Sequence, residues 1–138
     1  MPFSIPITIR FQHCDSTGLV FYHRYFEMFN LVVEVWFDRV IGVGFNRLHS
    51  KERIGVPMAR IKTDFRAMSR LEDNVVLSLV VNRIGKSSMN LTVRAVCVDE
   101  LRCNANLTLV CFDLDTRKAS AWPSYLRNKF ETYCKENQ

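Results

Sequence analysis

The chain contains, at residues 22–41, the stretch YHRYFEMFNLVVEVWFDRVI. Four polar residues recur in it at helical spacing: Glu27, Asn30, Glu34 and Asp38. Nearly all of the remaining positions are large and apolar. A helix with so narrow a polar stripe is buried over most of its circumference. We therefore predict a long central helix that other elements surround. The glycines at positions 42 and 44 are expected to end it.

The rest of the sequence supplies strands for the surrounding layer. Apolar and polar residues alternate over residues 5–11, 59–67, 75–82, 89–97 and 103–111. In the first run Ile5, Ile7, Ile9 and Phe11 are expected on one face, and Pro6 places that strand near a sheet edge because proline has no N–H to donate. Turn-forming segments at 71–74, 85–88 and 99–100 separate the last four runs, which predicts an antiparallel meander.

A final amphipathic helix is predicted at residues 124–135, with Leu126, Phe130 and Tyr133 buried. The order of elements, one strand, a long buried helix and four strands, favours an α+β fold. In this fold one curved antiparallel sheet wraps around the helix. With no repeat or linker in the sequence, residues 1–138 are interpreted as a single domain. The remaining strand edges and outer sheet face are surfaces that dimerisation could cover.

Composition narrows the classes of function. Hydrophobic residues make up 48% and charged residues 24%, as in globular proteins, and no apolar run is long enough to cross a bilayer. The five cysteines form no CxxC pair, and Cys97, Cys103 and Cys111 lie in apolar stretches typical of small core residues. These features, with a start that lacks a secretory signal, predict a cytoplasmic protein. The net charge of +5 is spread along the chain, which favours a phosphorylated small ligand over nucleic acid.

The segment most suited to chemistry is FQHCDSTGLVFY, residues 11–22, which joins the first strand to the start of the central helix. The first N–H groups of a helix lack internal partners, and the macrodipole makes that end positive. Such an end can stabilise the oxygen of a thioester carbonyl as it gains charge. Asp15, in the preceding loop, could attack the carbonyl carbon or activate a water. The alternative is that Asp15 only caps the helix or forms an Asx-turn.

The same segment resembles the signature of the 4-hydroxybenzoyl-CoA thioesterase group of hotdog-fold enzymes. The matching positions are Phe11, Cys14, Asp15, Gly18, Leu19, Val20, Phe21, Tyr22 and Tyr25. Residues 63–66, Asp73 and residues 85–88 fit the same family at appropriate intervals, so the resemblance covers nearly the whole chain.

The resemblance implies a hotdog fold, a homodimer or homotetramer with active sites at a subunit interface, and hydrolysis of an acyl-CoA without a metal or redox cofactor. It makes Asp15 the nucleophile or general base and the Tyr22 N–H the oxyanion donor. Gly18, Phe21, Tyr25 and Asn30 are the expected substrate-binding residues. Arg83, Lys86 and Ser87 are the expected CoA-binding residues, in a turn whose N–H groups and lysine suit a phosphate. An aromatic or short-to-medium-chain acyl group is expected.

Several alternatives stay open at this point. Glu27 and Glu34 on the helix are secondary candidates for the carboxylate, because another branch of hotdog thioesterases uses a helical Glu. Some relatives place a histidine where this chain has Tyr22, so no catalytic histidine is assigned. His13 and Asp15 are spaced as in a metal motif but have no further ligands near them in sequence, so no metal site is expected. The competing functions are a non-catalytic acyl-CoA-binding domain and, less favoured, a hotdog dehydratase or a nucleic-acid binder.

Overall fold

A long helix, α1 (Tyr22–Trp36), runs through the centre of the computed structural model, which describes residues 2–137. It continues through a π-helical turn, Phe37–Ile41, and ends where Gly42 adopts a φ of 81°. Glycine takes this left-handed conformation without a Cβ penalty, as helix ends require. The predicted helix and its glycine stop are therefore confirmed, but its exposed side is wider than predicted, because Leu31 and Val40 are 44% and 39% exposed.

The other elements follow in chain order. Strand β1 (Phe3–Thr8) and a 3₁₀ turn (Phe11–His13) precede the helix. A short helix α2 (Phe45–Ser50) and strand β2 (Ile54–Gly55) follow it. The long strands are β3 (Met58–Phe65), β4 (Asn74–Ile84), β5 (Ser88–Cys97) and β6 (Glu100–Val110). Two short strands, β7 (Phe112–Asp113) and β8 (Lys118–Ala119), lead to helix α3 (Ser124–Glu136).

The main sheet has five antiparallel strands in the order β1-β4-β5-β6-β3. The meander predicted for the last four strands is therefore correct for β4, β5 and β6 and wrong for β3, which pairs with β6 rather than with β4. Residues 66–73 carry the chain from one sheet edge towards the other, so they are not a hairpin turn. Strand β3 does not lie beside β4 because β1 pairs with β4 and occupies the position that a meander would give β3.

The core lies between α1 and the concave side of this sheet. The helix buries one broad face (Tyr25, Met28, Phe29, Val32, Val33 and Trp36). The alternate residues of β4, β5 and β6 that face it are fully or nearly fully buried, including Cys97 and Cys103. Helix α3 closes the far end by burying Leu126, Phe130 and Tyr133, as predicted. The element types and burial confirm the predicted α+β architecture of one sheet around a central helix.

The end of the first strand differs from the prediction. Ile5 and Ile9 are buried, and β1 is an edge strand as Pro6 indicates. Phe11 is 75% exposed, however, so its predicted place on the buried face is wrong. The chain leaves the sheet after Thr8 and turns into the 3₁₀ segment, which breaks the strand periodicity before Phe11 is reached.

The opposite edge strand, β3, leaves apolar side chains uncovered. Ile61 is 38% and Phe65 is 47% exposed, although both lie in the alternating pattern of a half-buried strand. An edge strand with exposed apolar side chains is a surface on which another chain can pair. Among the described residues, no helix is long and apolar enough to cross a membrane.

Candidate active site

The loop between β1 and α1 is held against residues 69–71 by backbone hydrogen bonds. The Val20 N–H donates to the Ser69 carbonyl at 3.0 Å, and the Leu71 N–H donates to the Gly18 carbonyl at 3.0 Å. Gly18 has a φ of 80°, a left-handed conformation that a side chain would strain. The chain therefore turns tightly at Gly18, and Cys14 and Val20, on either side of this turn, form an isolated antiparallel β-bridge. This arrangement fixes the backbone on both sides of Asp15.

Asp15 uses one carboxylate oxygen to hold this turn. Its Oδ1 accepts hydrogen bonds from the Thr17 N–H at 2.8 Å, from the Thr17 hydroxyl, and more weakly from the Leu19 N–H at 3.4 Å. The Asx-turn considered as an alternative is therefore present. Among the described residues none donates a hydrogen bond to Oδ2, so the second oxygen is free to meet a ligand.

The hydrogen bonds from Thr17, first its hydroxyl and then its N–H, hold the pKa of Asp15 below its ordinary value of 3.8. Hydrogen bonding to a carboxylate favours the charged form. Asp15 is therefore ionised at neutral pH, as either a nucleophile or a base requires.

The start of α1 presents free N–H groups beside this loop. The Phe21 N–H donates to the His13 carbonyl and the Arg24 N–H to the Phe21 carbonyl. The intervening N–H groups of Tyr22 and His23 have no acceptor among the described residues, and no side chain caps the helix. Unpartnered donors at a helix start, reinforced by the macrodipole, suit an oxygen that carries negative charge.

Asp15 and Tyr22 line the same pocket, which has a volume of about 370 Å³. Its wall is largely aromatic and apolar (Val20, Phe21, Tyr22, Tyr25, Phe65, Ala67 and Met68), with Arg66 and Ser69 as further polar residues. The Phe65 ring lies 6.4 Å from that of Tyr22 and 5.9 Å from that of Tyr25, measured between centroids. The structure thus brings together four of the residues predicted from sequence, Asp15, Phe21, Tyr22 and Tyr25.

Tyr25 and Ser69, which both line the pocket, belong to a polar network with Arg102 and Asp73, which do not line it. Tyr25 Oη and Ser69 Oγ lie 2.5 Å apart, and Arg102 Nη1 donates to Ser69 Oγ at 3.3 Å. The same Arg102 nitrogen donates to the Asp73 carboxylate at 2.7 Å and to the Met68 carbonyl at 3.0 Å. Ser69 is missed by sequence reasoning because a lone serine in an irregular segment carries no periodic or motif signal.

The other predicted site residues lie outside this pocket. Gly18 shapes the loop but does not line the pocket, and Asn30 is exposed on α1 away from it. Arg83 lies near the end of β4, and Lys86 and Ser87 lie in the β4–β5 turn, at the far end of the sheet. Since β4 has 11 residues, that turn lies roughly 30 Å from the end of the sheet that carries Asp15.

The β4–β5 turn nevertheless has features of an anion site. The Lys86 and Ser87 carbonyls accept from Trp122 and Cys111, which anchors the turn, and the Lys86 side chain is exposed. The N–H groups of Lys86 and Ser87 have no acceptor in the described part of the chain. Consecutive free N–H groups beside a lysine can hold a phosphate.

Glu27 and Glu34, the alternative candidates for the catalytic carboxylate, do not line the Asp15 pocket. Glu27 is paired with Arg24 at 2.7 Å, which holds the pKa of Glu27 below its ordinary value, and Glu34 is exposed. Glu27 and His13 line a separate pocket of about 450 Å³ on the β1 side of α1. Within residues 2–137 no three His, Cys, Asp or Glu side chains are grouped so that they could hold a metal ion.

Comparisons with known proteins agree with this picture. The model of the thioesterase-like superfamily matches residues 9–130, most of the chain. A 1,4-dihydroxy-2-naphthoyl-CoA hydrolase of Nostoc punctiforme is 20% identical over 132 residues, covering 96% of this chain and 88% of that protein. The acyl-CoA thioesterase YbgC of Haemophilus influenzae is 19% identical over 128 residues, with 93% of each chain covered.

Solved structures show the same fold. A Staphylococcus aureus protein in complex with CoA superposes with a TM-score of 0.89 at 16% identity, covering 98% of this chain and 85% of the other. The gentisyl-coenzyme A thioesterase BH1999 superposes with a TM-score of 0.85 at 19% identity, covering 93% of this chain and 99% of that one. These likenesses confirm the hotdog fold expected from the sequence.

Proposed function

The chain belongs to the thioesterase-like superfamily, and on that premise we propose that it hydrolyses an acyl-CoA thioester to the free acid and CoA. The observation that carries this proposal is the shared pocket of Asp15 and the start of α1. Attack on a thioester carbonyl needs two groups, an ionised carboxylate and an unpartnered N–H. The aromatic wall suits an aromatic or short-to-medium-chain acyl group.

In the proposed reaction the thioester oxygen accepts a hydrogen bond from the Tyr22 N–H. As a nucleophile, Asp15 Oδ2 bonds to the carbonyl carbon, the C–S bond breaks, and CoA leaves as a thiolate that takes a proton from solvent. Water then hydrolyses the mixed anhydride and regenerates the carboxylate. As a general base, Asp15 instead removes a proton from the water that attacks the same carbon, and that proton passes to the departing thiolate. Both routes need only water as the second reactant.

The position of the β4–β5 turn supports a dimeric site. Strand β3 is an unpaired edge, and pairing two copies of it antiparallel about a twofold axis places the Met58 end of one beside the Phe65 end of the other. Met58 and Met89 both pair with Leu109, so the β4–β5 turn lies at the Met58 end. The partner's Lys86 would then reach the end of the sheet that carries the Asp15 pocket. We therefore place CoA phosphate binding, by Arg83, Lys86 and Ser87, across a subunit interface of a homodimer or a larger homo-oligomer.

The activity is tested by measuring thiol release from a panel of aromatic and aliphatic acyl-CoAs. We expect wild type to hydrolyse at least one ester and Asp15→Asn to lose about a hundredfold in kcat with little change in KM. Asp38→Asn, an exposed aspartate at the opposite end of the central helix from Tyr22, is the matched control and should retain activity. If wild type binds CoA esters but hydrolyses none, the chain is a binding domain and Asp15 only a turn former.

The dimeric arrangement is tested by mixing subunits. Asp15→Asn and Lys86→Glu are each expected to be impaired at low substrate concentration. Random mixing makes half of the dimers mixed, and each mixed dimer has one intact site of two, so activity should recover to about a quarter of wild type. No recovery would show that Asp15 and Lys86 serve the same substrate from one subunit, or not at all.

A further inference from the structure

The Tyr25 and Ser69 hydroxyls form a hydroxyl pair between two residues that line the Asp15 pocket. Tyr25 is 3% and Ser69 is 1% exposed, and both residues line the pocket. Their oxygen atoms are 2.5 Å apart, so one O–H donates to the other. The pair belongs neither to the Asp15 turn nor to the start of α1, and the proposed reaction does not use it.

Counting protons shows that the hydroxyl pair has one donor to spare. Two hydroxyls carry two protons, and one proton is used between them. The Ser69 oxygen also accepts from Arg102 Nη1. Within residues 2–137 neither hydroxyl has another acceptor. Whichever hydroxyl donates inside the pair, the other O–H remains free, and a buried free donor is costly unless a ligand meets it.

The surroundings keep this donor protonated. Burial raises the pKa of Tyr25 above its ordinary value of 10.0, so the phenol is neutral at physiological pH. The Arg102 guanidinium is paired with two carboxylates, those of Asp73 and Glu100, at 2.7 Å each, so it adds no net positive charge here. Arg66 lines the same pocket. The pocket therefore presents one neutral O–H donor in a wall that is otherwise mainly apolar.

We propose that the Tyr25–Ser69 hydroxyl pair is a specificity-determining subsite that binds an oxygen atom on the acyl group, separate from the thioester carbonyl oxygen. The subsite rests on the proposed thioesterase function and deepens it. The subsite favours acyl groups that carry a hydroxyl, phenolate or carboxylate oxygen at the depth of the pair. An acyl group with the same skeleton but without that oxygen is disfavoured. A site built to pair with a polar group discriminates against the analogue that lacks it, because the protein donor is then left unpartnered.

The experiment compares kcat/KM for matched esters. Benzoyl-CoA is paired with its 2-, 3- and 4-hydroxy derivatives, and butyryl-CoA with 3-hydroxybutyryl-CoA. We expect wild type to prefer at least one oxygenated ester over its partner by about tenfold or more, the size of one buried hydrogen bond. The double variant Tyr25→Phe, Ser69→Ala removes both donors and should reduce that preference to about one, whatever its effect on the rate for the unsubstituted ester.

The single variants keep the test interpretable if the double variant is unstable. Each leaves one O–H in the pocket, so Tyr25→Phe and Ser69→Ala should each reduce the preference only in part. Tyr125→Phe and Ser78→Ala, which lie outside the pocket, are the controls and should keep the wild-type ratio. A thermal melt of each variant confirms that it is folded at the assay temperature.

The outcomes separate the two proposals. If wild type hydrolyses esters with no preference for any oxygenated member, or if the double variant keeps the preference, the subsite is refuted and the thioesterase function stands. If wild type hydrolyses no ester in the panel, the proposed function fails and the subsite fails with it.

Discussion

Replacing Asp73 with Asn should destabilise the fold, and the loss should disappear in acid. The Asp73 carboxylate accepts from Arg102 Nη1 at 2.7 Å and from the Arg70 N–H at 2.9 Å. Arg102 is only 12% exposed at its side chain and Asp73 is 26% exposed, so the pair is largely shielded from water. The Asp73 backbone also holds the fold, because the Ile9 N–H donates to the Asp73 carbonyl at 2.8 Å. Asn preserves the backbone bond and the shape but removes the charge.

The magnitude follows from the hydrogen bond to the charged partner. Charge-assisted hydrogen bonds contribute about 1.5–3 kcal/mol, and the partial exposure of Asp73 places the expected loss near the lower end, at about 1–2 kcal/mol. For a chain of this size that corresponds to a fall in Tm of roughly 3–8 °C at pH 7.

The pH dependence has a definite sign. The hydrogen bond from Arg102, followed by that from the Arg70 N–H, holds the pKa of Asp73 in the folded protein below its ordinary value of 3.8. A carboxyl group with a depressed pKa stabilises the fold at pH values above 3.8 and loses that contribution as the pH falls through its folded-state pKa. Wild type and Asp73→Asn should therefore differ at pH 7 and converge only as the pH falls through the folded-state pKa of Asp73, which lies below 3.8.

Thermal melts followed by circular dichroism at several pH values measure this difference. Asp64→Asn is the control, because Asp64 is exposed and has no hydrogen-bond or salt-bridge partner among the described residues. It should shift Tm little at any pH. A difference between wild type and Asp73→Asn that persists undiminished in acid would refute the argument, since the effect could not then come from the Asp73 charge.

Three further predictions concern the site and the hairpins. Thr17→Ala removes the largest cause of the lowered pKa of Asp15, so the acid limb of kcat/KM against pH should move to higher pH; an unmoved limb would mean that Asp15 does not control it. Lys86→Ala should raise KM for CoA esters several-fold while Lys118→Ala does not, and equal effects would argue against phosphate binding at the β4–β5 turn. Val98 has a φ of 45° at the β5–β6 turn, where a β-branched residue is strained, so Val98→Asn should raise stability by about 1 kcal/mol in denaturant melts; a loss of stability would contradict the strain.

The periodic parts of the fold could be predicted because their pattern is set by burial. The narrow polar stripe of residues 22–41 and the spacing of Leu126, Phe130 and Tyr133 each report which side of an element meets the core. Strand order is different, because period-2 alternation is the same whichever neighbour a strand pairs with. The position of β3 beside β6 therefore could not be derived from local sequence, and neither could the exposure of Ile61 and Phe65.

The residues of the candidate site also fall into those that local sequence predicts and those that it does not. Asp15, Phe21, Tyr22 and Tyr25 lie in one short stretch, so a motif places them together, and the structure gives them one pocket. Ser69 and Arg102 enter through chain segments 44 and 77 residues after Tyr25, and nothing in their local sequence marks them. Lys86 shows a different limit, because a local motif for phosphate does not reveal that the turn lies at the far end of the same subunit.

The two interpretations of Asp15, turn former and catalytic carboxylate, are compatible because they use different oxygens. Oδ1 holds Thr17 and Leu19, and Oδ2 is left for the substrate. Asn forms the same turn through its Oδ1, so Asp15→Asn removes charge while the loop keeps its shape. Asp15→Ala removes the charge and also the hydrogen bonds that Oδ1 accepts from Thr17 and Leu19, so the loop keeps only its backbone bonds to residues 69–71. If Asp15 acts through its charge, the two variants should lose kcat equally and only Asp15→Ala should lose stability. If Asp15 only shapes the loop, Asp15→Asn should keep most of its activity and Asp15→Ala should not.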